Sequence, residues 1–292
     1  MMEGMRINRS GMMELFVLLV LLSTGLHADT LVLKSGLTIS GRSFVREGDA
    51  LVLAAGPNGE PVTAGTSTPL AEIVRVECDP PAVLKNAPAM LAAGKTSTVL
   101  SEVRLAMSAA ETYGELPGSC WPDLYSLQAQ VLLATGRDAE AAELATAMKK
   151  NRNIGLAADS QGLRALIAAR KGDHAAAVSL AEPLIKEAAR PSAVAAASVA
   201  IGLGHLKKNK FPEALKAFLE LPVFLPDETA FSGIVRLGTA QAYYGMDDYD
   251  RAIATLEELI KIQPGIPELA TAESLLPEWT RRRRAVQEAN EP

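Results

Sequence analysis

Histidine and cysteine are scarce in this chain, three and two among 292 residues, and aromatic residues make up only 4%. With so few ligating side chains there is no CxxC or HExxH spacing, so no metal-binding motif is legible and no cofactor is expected. Beyond residue 28 the only histidines are His174 and His205, in different repeats, and His205 reads as a packed residue of a helix rather than a ligand. No G-x-S-x-G elbow occurs and neither cysteine has a histidine close by in sequence, so nucleophilic catalysis has no visible machinery. A basic excess is missing too: a net charge of −5 does not suit a protein that grips a phosphate backbone. The shortage of aromatics beside a hydrophobic fraction of 48% leaves alanine and leucine to fill the interior, as in closely packed helices.

Apolar runs long enough to cross a bilayer are also absent. The nearest, "ELFVLLVLLSTGL", follows Arg6 and Arg9 and is too short to span. It reads as the core of a signal peptide over residues 1–28, with Leu26-His27-Ala28 or Ser23-Thr24-Gly25 as the cut. Its removal takes away Arg6 and Arg9 together with Glu3 and Glu14, so the net charge is unchanged. The expectation is an exported protein of the periplasm or cell envelope, touching the membrane only through this signal. In an oxidising compartment Cys78 and Cys120 can be joined as a disulfide or stand as two separate buried thiols, and their spacing does not choose.

What the sequence does contain falls into two periods. From Thr30 to Glu77 short alternating runs, "TLVLK", "LTISGRSFVRE", "ALVLAA" and "AEIVRVE", are separated by "SG", "GD" and a long Gly/Pro/Thr-rich stretch, Gly56 to Pro69, that reads as a mobile loop. About five short strands cannot make a large sheet and predict a small barrel or roll that shuts its own edges. This layout resembles the small Sm-like barrels that follow signal peptides in many bacterial envelope proteins. Cys78-Asp79-Pro80-Pro81 marks the end of the region, since two prolines deny the strand further ladder bonds.

After the prolines the period is helical. "AMLAAGKT", Ala89 to Thr96, fits the loose spelling of a phosphate loop, but no buried strand precedes it and "MLAA" favours helix, so its N–H groups are spent on helix bonds. It reads instead as Gly94 ending one helix and Thr96 or Ser97 capping the next, with no nucleotide. Four later segments, "LLATGRDAEAAELA", "IAARKGDHAAAVSLA", "LGHLKKNKFPEALKAF" and "QAYYGMDDYDRAIATL", align on their polar turns. Their matching alanines, Ala141, Ala177, Ala214 and Ala252, lie 36, 37 and 38 residues apart, the mark of a helical-hairpin repeat. The acidic pair Asp247-Asp248 falls in such a turn and reads as a helix starter. Arg281 to Arg284 point all round a helix and read as a solvated cap.

In the last two copies a small residue (Gly202; Ala240), an aromatic (Phe211; Tyr249), the alanine, a large apolar residue four positions on (Phe218; Leu256) and a terminal proline (Pro226; Pro264) recur. This set resembles the tetratricopeptide repeat family. Copies one and two keep the small residue at Ala129 and Ala165 but have Asp138 and His174 where the aromatic belongs. The resemblance implies a mainly α solenoid whose first helices line a concave groove. Carried over, the groove would show Gln130, Leu133, Leu166 and Arg170 from the first two copies. Leu203, Leu206 and Lys207 would come from the third, and Ile234, Leu237, Gln241 and Tyr244 from the fourth. Tyr244 would serve as anchor, and Arg170 and Lys207 would favour acidic partners.

The predicted organisation is a signal peptide (1–28), a small β-barrel domain (29–79), opening helices (83–118), tetratricopeptide-like repeats (119–266) and a polar-faced capping helix (267–292). The expected function is non-enzymatic: a protein–protein interaction module of the bacterial envelope that binds a peptide or protein segment. The alternative is a self-assembling or complex-scaffolding component with recognition through the barrel.

Overall fold

A computed structural model describes residues 29–62, 66–114, 116–150, 154–187, 189–262 and 266–290. The expected signal peptide, residues 1–28, lies outside them. Among the described residues no helix is long and apolar enough to cross a membrane.

The chain divides into two units, the first comprising the strands up to Asp79 together with Leu116–Gly118. In it β1 (Asp29–Leu33) runs between β2 (Thr38–Gly41) and β6 (Ile73–Glu77), and β4 (Ala50–Ala55) between β3 (Ser43–Glu47) and β5 (Ser67–Pro69), all antiparallel. The described strands therefore form two three-stranded sheets rather than the expected closed barrel. The reason lies at Arg42, where "LTISGRSFVRE", expected as one strand, breaks. Gly41 approaches Leu53 so closely that a Cβ would meet its Cδ1 at 2.0 Å. Arg42 then donates its N–H to Ala55 O at 2.9 Å, and the chain passes from one sheet into the other. Part of the expected loop is also strand, since Ser67–Pro69 pairs with β4 and Pro61 bridges Ala55. Leu31, Leu51 and Val76 make the small core. The outer edge of β6 is met by the tripeptide Leu116–Gly118, expected among the opening helices: Val76 N–H donates to Pro117 O at 2.8 Å.

The second unit holds the helices. α1 (Ala82–Ala92) and α2 (Thr96–Ala110) form an opening hairpin. Four more follow: α3 (Trp121–Ala134) with α4 (Asp138–Lys150), α5 (Ile154–Arg170) with α6 (His174–Lys186), α7 (Pro191–Lys207) with α8 (Phe211–Phe224), and α9 (Ser232–Gly245) with α10 (Tyr249–Ile262). α11 (Pro267–Asn290) completes the described helices. Each helix packs on its sequence neighbour, and the first helices of successive hairpins pack on one another. This arrangement is compatible with a helical-repeat array.

The four hairpin turns are built alike. Each is three residues long, and the middle one is left-handed: Gly136, Gly172, Asn209 and Asp247, with φ of 73°, 85°, 56° and 61°. Glycine adopts that conformation without strain, and Asn and Asp tolerate it best among the rest. The third residue returns its N–H to the helix it has left, Arg137 to Leu132 O, Asp173 to Ala168 O, Lys210 to His205 O and Asp248 to Tyr243 O, at 2.8–3.0 Å. The same closure follows α1, where Gly94 has φ 71° and Lys95 N–H reaches Met90 O at 2.9 Å. The Gly-Lys-Thr triplet is thus a helix turn. The cap expected from Thr96 or Ser97 is not made: both already lie in the first turn of α2, and Lys95 precedes it without a side-chain capping bond.

Packing centres on α7, which touches α5, α6, α8 and α9. From Ala193 to Gly204 its buried positions are alanine, glycine, serine and one valine. Small residues let backbones approach: a Cβ on Gly162 of α5 would lie 2.6 Å from Ala193 O. The bulk comes from outside, chiefly Phe218 of α8, whose fully buried ring lies between Gly202 of α7 and Gly238 of α9. Ala141, Ala177, Ala214 and Ala252 are all inaccessible. One apolar core extends from Val83 to Ala242, and a smaller one joins Ala240, Leu256, Leu259 and Trp279.

These contacts fix the sign of two glycine substitutions. Gly238→Ala places a methyl 2.4 Å from the immobile Phe218 ring and will destabilise by about 1–3 kcal/mol. Gly204→Ala meets nothing nearer than Val178 Cγ2 at 3.8 Å and will stabilise by up to about 1 kcal/mol through helix propensity. Urea denaturation midpoints of the two variants check this. Equal effects would contradict the packing described.

Candidate functional site

The inner face expected to run from Gln130 to Tyr244 is divided by a segment of the chain itself. Between α8 and α9 the connection Leu225–Phe231 ends in a 3-10 helix (Thr229–Phe231) that packs on α1, α3, α7 and α9. Ala230 and Phe231 are buried. Thr229 Oγ1 donates to Pro88 O at 3.0 Å, and Gln130 Nε2 donates to Glu228 Oε2 at 3.2 Å. Gln130 is therefore buried against this connection and does not reach an open groove.

Beyond it lies a cleft of about 700 Å³. The structure brings Arg170, Leu203, Leu206, Lys207, Leu237, Gln241 and Tyr244 together on its walls, with Ile234 among them. The facing wall is α11, which the sequence reading placed as a cap: Pro267, Thr271, Leu275 and Trp279 project into the cleft at a spacing of four. The recurrence of Pro267, Leu275 and Trp279 on one helical face was the available signal. Trp279 is buried and stacks on Tyr244 with ring centroids 4.3 Å apart, while Tyr249 meets Tyr244 edge-on at 5.3 Å. Tyr244 is thus held in a three-ring wall rather than standing alone. Of the arginine run on α11, Arg283 lies 3.3 Å from Asp250, and Arg282 interacts with the Tyr249 hydroxyl.

Two charged groups sit at the other end of the cleft. Arg170 donates from Nη1 to Leu133 O at 2.8 Å, satisfying a carbonyl at the end of α3, and its Nε lies 3.3 Å from Asp138 Oδ2. Part of its fork is therefore committed internally. Glu268 is buried beside it, and desolvation raises its carboxyl above the usual range, with Asp138 adding to the shift and Arg170 opposing it. His174 opens α6 on the same wall, and its Nδ1 is buried without a hydrogen-bond partner. Lys207 is the exposed cation of the lining.

A second polar cluster surrounds the connection. Arg190 pairs with Asp123 Oδ1 through Nη2, and its Nε lies 3.6 Å from Asp159 Oδ2. Ser192 Oγ donates to Asp159 Oδ1 at 2.6 Å. Asp159 is 1% exposed. Burial drives its carboxyl upward, opposed by the Arg190 charge and by the Ser192 and Ser126 hydroxyls. Glu228 is raised first by burial and then by Asp159 and Asp227, against Gln130 and Arg190. Among the two cysteines, Cys78 is half-buried with Sγ 3.9 Å from Gly118 O, and Cys120 is buried at the head of α3.

No known protein family matches the chain, and no curated protein is similar to it.

The raised carboxyl of Glu228 generates a pH-dependent prediction. Its charged form is the disfavoured one in the fold, so the penalty is present at neutral pH and fades as pH falls through the raised value towards the ordinary glutamate range. Glu228→Gln keeps an acceptor for Gln130 and removes the charge. The variant will melt above the native protein at neutral pH and with it in acidic buffer. A variant that melts lower at neutral pH would show that Arg190 outweighs desolvation.

Proposed function

We propose that the protein is a non-enzymatic protein–protein interaction module of the bacterial cell envelope. In this reading it is an exported, tetratricopeptide-like solenoid that holds a peptide or protein segment in the cleft between α7, α9 and α11. The observation that carries the reading is the composition of that cleft. Leu203, Leu206, Ile234 and Leu237 offer an apolar floor, the Tyr244–Trp279 stack a rigid aromatic wall, and Gln241 and Lys207 a few polar anchors. Rigid aromatics beside sparse polar groups suit an extended or helical segment that buries apolar side chains. Exposed Lys207 favours an acidic neighbour in the partner, whereas Arg170, already tied to Asp138, contributes less than the repeat pattern implied. The reading calls for no cofactor, nucleotide or nucleic acid.

A second reading has its own support. On α8, Leu219, Val223 and Phe224 are 40%, 68% and 72% exposed, an apolar patch of the kind that joins subunits or larger assemblies. A scaffolding role would use this face and, in the β unit, recognition through the sheets.

In-envelope crosslinking with mass spectrometry tests the first reading. A discrete partner will be lost with Lys207→Glu, whose exposed side chain leaves the fold intact, and with Tyr244→Ala. The purified partner will bind each variant at least about tenfold more weakly, as for removal of a central anchor. Partners that survive both changes but vanish with Phe224→Asp would favour the scaffold, and light scattering of the same variant would then report loss of self-association.

A further inference from the structure

The apolar end of α8 stands beside a groove. Val223 and Phe224, 68% and 72% exposed, sit in sequence between Pro222 and Leu225, both of which line a concavity of about 430 Å³. Leu219 enters it from the same helix, Tyr243 and Thr255 from α9 and α10, and Ala92 from the end of α1. Three consecutive exposed apolar residues, Pro222 to Phe224, are unfavourable in water unless something covers them. A protrusion and a hollow thus adjoin on one surface. The charges around it include both signs. Lys216 and Glu220 lie about two turns and one turn before Phe224 on its stripe, with Nζ 3.8 Å from Oε1. From α9 Arg236 meets Glu258 of α10 at 2.6 Å.

Shape and charge together select the occupant. An identical face matches the protrusion and the hollow at once, because a two-fold axis between them carries each Phe224 to the groove of the other copy. Antiparallel α8 helices about that axis reverse the order of Lys216 and Glu220, so the lysine of one copy approaches the glutamate of the other. With Arg236 and Glu258 added, the face presents two cations and two anions and does not repel its own likeness. Covering it in both copies removes on the order of 1,000 Å² from water, the lower limit for a specific interface, so the assembly is reversible. We propose that this face pairs with a second copy of the chain in an antiparallel, two-fold dimer. The dimer rests on the scaffold reading, for which it names the partner, and shares no lining residue with the cleft.

The test is sedimentation velocity of the full chain from about 1 µM to about 1 mM, a range that brackets the affinity of so small an interface. The native protein will pass reversibly from monomer to dimer. Phe224→Asp will weaken the dimer at least about a hundredfold. Ala92→Arg, which sets a bulky charge into the groove from an exposed position of α1, will weaken it as well. Lys216→Glu will weaken it, and Glu220→Lys in the same chain will restore it, because the reversed charges again meet their opposites. None of these side chains is buried, so the fold is kept, and melting curves of the variants check this. A monomer throughout the range, a dimer indifferent to Phe224→Asp or to Ala92→Arg, or a charge reversal that restores nothing would overturn the proposal. A monomeric chain that still loses its envelope partners with Phe224→Asp would refute the second copy and leave the scaffold reading standing.

Discussion

A helix enclosed by four others can carry almost no bulk of its own, and this constraint on α7 governs the helical unit. Its alanines and glycines bring α5 to within backbone contact, while Phe218 fills the space left between Gly202 and Gly238. That ring sets the separation of α7 from α9. Because Leu203, Leu206 and Lys207 project from α7, and Leu237, Gln241 and Tyr244 from α9, the breadth of the cleft floor follows from one phenylalanine and two missing side chains. Close packing of this kind is stiff, so the floor is positioned before anything binds.

The connection Leu225–Phe231 has the opposite character. It carries polar groups into the interior and must satisfy them there: Thr229 on a helix carbonyl, Glu228 on Gln130, and both beside the Arg190 cluster. Where a helical-repeat array would present a continuous inner face, this chain fills part of it with its own connection. The remainder is bounded by α11, whose aromatic contact with Tyr244 gives the cleft its second wall.

Elements set by local chemistry were legible in the sequence. The turns at 135–137, 171–173, 208–210 and 246–248 are fixed by left-handed residues and by alanines that let each hairpin close, and both are visible in any copy. Gly94 was readable as a helix end for the same reason. What escaped depended on distant partners. Nothing local to Gln130 reveals that Glu228 will cover it, although the 38-residue spacing around the fourth turn and the apolar "TAF" after "PDE" marked an unusual connection. Likewise the break at Arg42 is imposed by Leu53 and Ala55 across the sheet, against an alternation that reads as one strand. Arg170, Lys207 and Tyr244, which the resemblance to tetratricopeptide repeats implied on one face, line one cleft, whereas Trp279 had no such pointer, because α11 lies beyond the last repeat.

The hydrogen bond from Thr229 to Pro88 spans 141 residues of sequence. Helical arrays in which each hairpin meets only its neighbours gain stability by addition and can fray repeat by repeat. Tying the fourth hairpin to the first closes a long loop, whose entropic cost grows only slowly with length. It joins the connection before α9 to α1 across the hairpins between them, a contact that a string of purely local units would lack. The smaller core of α9, α10 and α11 stands outside that ring. The cleft is lined from both cores, Leu203, Leu206 and Ile234 packing on the larger and Leu237, Tyr244 and Leu275 on the smaller, so a local opening of the smaller core would loosen one side of the cleft without unfolding the other.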